Sequence, residues 1–275
     1  MANALSGISS VMIREMLTMV DVGALLADPS FYGFGIPRGD GRLVAVLPGL
    51  FGSDLYLQPL RQWLQRIGYS PVRSTLEFNA GCLQRLREQV NHEIVRRMQD
   101  SQRPIALIGH SRGGIMAWAL ARQLQERVSH LVLLGSPVAS FRASVESGDA
   151  GAPAGPVGKM LMRISDQLRG LLDPDCSYPS CGCPLVGDVM NDLSPSTSVL
   201  SIHGREDLVV GKGAQITNDG ENVYVSASHV GLVYNPDVYR ALGRFLASHG
   251  DAAEPRPAQL KQDSGPSVHH GTAEA

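Results

Sequence analysis

The segment Pro104–Ala117 constrains this chain more than any other stretch. Four apolar residues, Ile105 to Ile108, run into Gly109-His110-Ser111-Arg112-Gly113-Gly114, and a helical pattern starts at once with Ile115 and Met116. A short run that is apolar on both faces suits a strand buried between two helical layers. The glycines at 109 and 113 give the chain room to reverse, because side chains there would collide with the neighbouring strand and helix. The pattern is G-x-S-x-G in a strand–turn–helix setting, which holds a serine in strained backbone geometry with its hydroxyl exposed at the sheet edge. Ser111 is therefore the candidate nucleophile, and the start of the following helix favours negative charge developing beside it.

The rest of the chain repeats the strand–helix rhythm. Apolar runs at Arg42–Leu47, Pro71–Thr75, Pro104–Gly109, His130–Gly135, Ser198–His203 and Asn222–Ser226 read as strands. Helical patterns fall between or after them, near Asp54–Ile67, Cys82–Met98, Gly113–Gln125 and Pro236–Ser248. Such alternation implies an α/β fold with a doubly wound, mostly parallel sheet, and 275 residues can form it as one domain. We expect a helical segment over residues 1–29, the main domain over 30–250 and a disordered tail over 251–275. About residues 139–193 no strand is legible, and a helical stretch over Lys159–Leu172 carries Met160, Ile164, Leu168 and Leu171 on one stripe. That region reads as a cap-like insert over the C-terminal edge of the sheet.

A serine hydroxyl needs a base to take its proton and an acid to orient that base. Asp207 follows the strand ending near His203, where open α/β sheets place their sites; Glu206 beside it is the rival acid. His229 follows the next strand and precedes Asn235-Pro236, a good start for the last helix. The order nucleophile, acid, histidine is the one an elbow serine of this kind requires. Two backbone N–H groups should receive the developing oxyanion: that of Arg112, and one from the loop Pro48–Ser53, where Leu50 is the choice and Phe51 the alternative. Phe51, Met160 and Ile164 are the expected substrate contacts, which would suit an acyl or otherwise apolar substrate.

The formal net charge of −2, without a basic stripe, gives no nucleic-acid footprint. Residues 1–28 lack a basic segment ahead of the apolar stretch, and Arg14, Glu15 and Asp21 interrupt it, so neither a signal peptide nor a spanning helix is expected. A docked amphipathic helix is the plain reading; association with a membrane surface or a partner is the other. The default location is then a reducing cytoplasm. Cys176, Cys181 and Cys183 form a C-x4-C-x-C run without a fourth ligand at zinc-finger spacing, so a structural disulfide or packed reduced thiols are expected rather than a metal. The oligomeric state has no signature.

With these residues placed, the chain resembles the α/β-hydrolase superfamily over roughly residues 30–250. The resemblance rests on Pro48-Gly-Leu-Phe-Gly-Ser53, Gly109-His-Ser-Arg-Gly-Gly114, the Asp207 loop and Ser228-His-Val-Gly231. It is similar in particular to bacterial lipase- or esterase-like serine hydrolases, through Gly39–Gly49 and Ser228–Tyr239. The resemblance implies an active serine at Ser111, an acid at Asp207, a base at His229, no cofactor and a small-molecule or lipid ester as substrate. Two positions depart from the common pattern: Pro48 stands where many lipases have His before Gly49, and Arg112 where Met, Leu or Gln is usual. Such a site leaves the leaving group open, so thioester, amide and perhydrolase chemistry are alternatives, as is a binding protein that keeps the fold without catalysis.

Overall fold

The computed structural model describes residues 18–148, 156–176, 183–210 and 220–248. Among the described residues six strands form one sheet: β1 (Leu43–Leu47), β2 (Ser70–Arg73), β3 (Ile105–His110), β4 (Val128–Leu134), β5 (Ser198–Gly204) and β6 (Glu221–Val225). Their order is β2-β1-β3-β4-β5-β6, and every neighbouring pair is parallel. All six strands expected from the apolar runs are present.

Alternation along the central strands explains why those runs are continuous. On β1, Val44 and Val46 enter one core while Ala45 and Leu47 enter the other. On β3, Ala106 and Ile108 face the first core, and Ile105 and Leu107 the second. The first core is closed by α1 (Thr18–Ala27) through Leu25, by α2 (Gln58–Arg66) through Leu60 and Trp63, and by α8 (Pro236–Ala247) through Tyr239 and Leu242. The second is closed by α3 (Leu83–Met98) through Val90 and Ile94, by α4 (Arg112–Leu124) and by α7 (Pro184–Met190) through Leu185 and Val189. The outer strands depart from the expectation of burial on both faces. Glu221, Asn222 and Tyr224 of β6 are exposed, and β2 accommodates Pro71, because edge strands meet solvent and lack one ladder partner.

Among its described residues, the region about 139–193 carries three helices where one was legible: α5 (Val138–Ser147), α6 (Pro156–Leu172) and α7. Short helices with few exposed apolar positions leave little periodic signal in the sequence. Residues 1–17 of the N-terminal segment, most of the Gly- and Pro-rich stretch after Ser147, Cys181 and the tail 251–275 lie outside the described residues. Among the described residues no helix is long and apolar enough to cross a membrane.

The sheet order reverses direction between β1 and β3. The loops leaving the C-terminal ends of these two strands therefore diverge and open a crevice, the place where open α/β sheets hold their ligands.

Candidate active site

Ser111 sits in that crevice, at the turn from β3 into α4, with φ 52° and ψ −124°. A non-glycine residue held at such a φ stores of order 1–3 kcal/mol and persists there only where its surroundings enforce it. Here they do: the Ser111 N–H donates to the Leu134 carbonyl (2.8 Å), and the Ser111 carbonyl accepts from the Ser136 hydroxyl (2.8 Å). The flanking glycines are required sterically. A Cβ at Gly109 would lie 2.5 Å from the Gly114 nitrogen, and one at Gly113 would lie 2.5 Å from the Leu47 carbonyl oxygen.

His229 and Asp207 arrive from the loops after β6 and β5. His229 Nε2 is 2.9 Å from Ser111 Oγ, and His229 Nδ1 is 2.7 Å from Asp207 Oδ2. Both side chains are buried, 7% and 6% exposed, so water screens the pair little. The other carboxylate oxygen, Oδ1, accepts the N–H groups of Val209 and Val210 at 2.9 Å each. Burial alone would raise the Asp207 carboxyl, but the neighbouring His229 and these donors hold it below the usual carboxylate range. Glu206 turns elsewhere and accepts from the Ser226 hydroxyl (2.9 Å). Of the two acids considered, Asp207 is the one beside the histidine.

The loop after β1 lies opposite. The N–H of Phe51 is taken by the Asn79 carbonyl (3.0 Å), and both Leu50 and Phe51 line the cavity. Phe51 itself, at φ 60°, stacks its ring on Phe78 with centroids 5.9 Å apart. Asn79 also donates its side-chain amide to the Pro48 carbonyl (2.7 Å) and accepts from the Arg112 guanidinium (2.8 Å). Arg112 reaches on to the Gly81 carbonyl (2.5 Å), so the residue after the serine ties the elbow to the loop before α3.

A second network was not visible in the sequence. The Gly49 N–H donates to the Tyr56 hydroxyl (2.6 Å), which is 2.9 Å from His110 Nδ1. His110 Nε2 is 3.0 Å from the His229 carbonyl oxygen. One proton arrangement satisfies all four groups: Tyr56 donates to Nδ1, and Nε2–H donates to the carbonyl. It needs a neutral His110, and burial, aided by the charge of nearby His229, pushes this imidazole down to about 3. Burial likewise raises the Tyr56 phenol, so it stays protonated. The chain of bonds links the β1 loop to the backbone of His229. No local motif announces it, since its members are 7 and 54 residues apart along the chain.

Ser111, His229, Leu50 and Arg112 all line one cavity of about 530 Å³, a size that suits a small molecule. Its walls are mainly apolar, with Phe51, Ile115, Phe141 and Leu185 around the serine. Helix α6 supplies Val157, Met160, Leu161, Ser165 and Arg169. Of the two α6 residues expected to contact substrate, Met160 is among the lining residues and Ile164 is not. Met160 and Ile164 are about equally exposed, and Leu171 on the same stripe is 80% exposed. The inward face of α6 is turned by about one residue, roughly 100°, from the stripe the apolar residues mark. Periodicity locates an apolar stripe without saying that this stripe faces inward.

Comparison with known proteins places the architecture. A family described as the alpha/beta hydrolase fold matches residues 67–155. The chain is similar to a monoglyceride lipase of Saccharomyces cerevisiae, solved as a soluble variant with a substrate analog, at 14% identity and TM-score 0.54 over 78% of this chain and 90% of that one. It is similar also to Est1E from Butyrivibrio proteoclasticus, at 15% identity and TM-score 0.52 over 78% of this chain and 91% of that one. No curated protein matches the chain.

Proposed function

We propose that this chain, which has the α/β-hydrolase fold, is a serine hydrolase that cleaves carboxylic esters through an acyl-enzyme on Ser111. The observation that carries the reading is the continuous run from Ser111 Oγ through His229 to Asp207, at 2.9 and 2.7 Å. In the proposed cycle His229 Nε2 takes the Ser111 proton as Oγ attacks the ester carbonyl. Asp207 keeps Nδ1 protonated and balances the imidazolium that forms. The N–H groups of Leu50 and Arg112 stabilise the tetrahedral oxyanion. His229 then protonates the departing alcohol, and water, activated by the same histidine, releases the acid and restores Ser111.

The apolar cavity walls favour an acyl or other apolar ester over a charged one, because a charge placed there would lose its hydration. The named similar proteins, a monoglyceride lipase among them, are consistent with that class. A chain-length panel of p-nitrophenyl esters, run beside the matching acyl-thioesters on wild type and Ser111→Ala, tests the reading. Turnover of esters by wild type alone supports it. Failure of folded protein to label at Ser111 with a fluorophosphonate would refute it.

A further inference from the structure

Cys82, far from the C-x4-C-x-C run in sequence, joins two members of that run in space. The sulfurs of Cys82, Cys176 and Cys183 lie within 4.8 Å of one another, and all three residues line the cavity. Cys82 immediately precedes α3, Cys183 immediately precedes α7, and Cys176 follows α6. Contacts other than the sulfurs build this convergence. The Asp173 carboxylate accepts the Cys82 N–H (2.6 Å), and its backbone carbonyl accepts the Cys176 N–H (3.0 Å). The Gln84 side chain accepts the Leu185 N–H (2.9 Å), and Arg87 pairs with Asp188, so the starts of α3 and α7 are held side by side.

We propose that Cys82, Cys176 and Cys183 form a binding site for Zn²⁺ on the wall of the cavity. Thiolates are soft ligands that select such an ion, and a Zn–S bond of about 2.3 Å puts the sulfurs of a tetrahedral site about 3.8 Å apart. The cluster reaches that spacing by contracting about 1 Å at most. The first turn of the sixteen-residue α3 presents its positive end to charge at Cys82. On ligation each thiol gives up its proton to solvent, and the fourth position is left to a donor outside the trio. The ion would tie the end of α6 and the start of α7 to α3, closing loops of about a hundred residues and fixing one cavity wall. Ester cleavage does not pass through it. The inference departs from the disulfide or packed thiols expected from spacing, because spacing could not bring in Cys82.

Titration of metal-free, reduced full-length protein with Co²⁺ tests the site. Binding of about one ion per chain is expected, with a near-ultraviolet thiolate-to-cobalt band that Zn²⁺ abolishes. Cys82→Ser and Cys176→Ser should each remove the band and weaken Zn²⁺ binding roughly tenfold or more. Ser111→Ala should keep both, so that failure of the esterase reading and failure of this one are distinguishable. Cobalt uptake without the band, unchanged uptake by Cys82→Ser, or a disulfide between two of the three in protein purified without reductant would each overturn the proposal. Should the serine variants fail to fold, Zn²⁺ protection of the three thiols of wild type from iodoacetamide decides: protection supports the site and equal alkylation with and without Zn²⁺ refutes it.

Discussion

The proposed oxyanion donor at Leu50 is a backbone group, yet Tyr56→Phe gives a side-chain handle on it. The substitution keeps the ring, with its edge-on contact to His110 at 5.8 Å, and deletes only the hydroxyl. Two polar atoms then lose a partner: the buried Gly49 N–H, bonded at 2.6 Å, and His110 Nδ1 at 2.9 Å. Each buried group left unsatisfied costs about 1–3 kcal/mol, so the two together cost at least about 2 kcal/mol, while the Nε2–H bond to the His229 carbonyl keeps the imidazole in place. A loss of about 2 kcal/mol follows, which for a domain of this size lowers Tm by roughly 4–8 °C. Part of that loss appears in turnover, because Gly49 adjoins the proposed donor and its freed N–H lets the loop drift. We predict kcat lower by roughly tenfold and KM nearly unchanged, since the oxyanion interaction is made in the transition state rather than in the bound substrate. Thermal unfolding and steady-state hydrolysis of one p-nitrophenyl ester measure both. A variant with wild-type Tm and kcat, or one whose defect lies entirely in KM, would refute the argument that this hydroxyl holds the loop.

Other substitutions probe the remaining parts of the site. Asp207→Asn should lower kcat by roughly three to four orders of magnitude, whereas Glu206→Gln changes it less than about twofold; the opposite ranking would exchange their roles. Gly113→Ala should cost about 3 kcal/mol in urea unfolding, because its Cβ meets the Leu47 carbonyl at 2.5 Å and backbone cannot step aside; a midpoint equal to wild type would contradict the steric reading. His110, held neutral down to about 3, binds fewer protons folded than unfolded, so stability present above its ordinary value of about 6.5 is lost as pH falls below it. Asp207, being depressed, contributes stability that survives until pH drops through the acid carboxylate range. Urea midpoints between pH 7 and 5 should therefore fall in wild type and flatten in His110→Gln, and parallel slopes would count against the assignment. Leu161→Ser should raise KM for a medium-chain ester by roughly tenfold while Ile164→Ser leaves it alone, which discriminates between the two faces of α6.

How far the sequence could be read depended on the distance over which each feature is encoded. β1, β3 and β4 were legible because burial on both faces makes their residues continuously apolar, and the elbow was legible because every constraint on Ser111 lies within a few neighbours. Asp207 and His229 could be proposed from strand ends alone, since topology fixes which loops reach the crevice. Tyr56, Asn79 and Cys82 could not, for each acts on a partner that only the folded sheet brings near. That the Phe51 N–H is bonded depends on the carbonyl of Asn79, 28 residues on, and the inward face of α6 on a rotation that apolar spacing does not report.

The serine stands at the end of a central strand, while the two groups proposed to serve it hang from β5 and β6, the outer strands on one side. Among the described residues β6 has one ladder partner, and most of its residues are exposed, so local opening there costs little. When β6 frays, His229 leaves with it, and Val225 and Ala227 at the margin of the first core are uncovered. Turnover is then a gauge of one sheet margin rather than of the whole molecule, and on gentle heating or dilute denaturant it should vanish while the helices still register as folded.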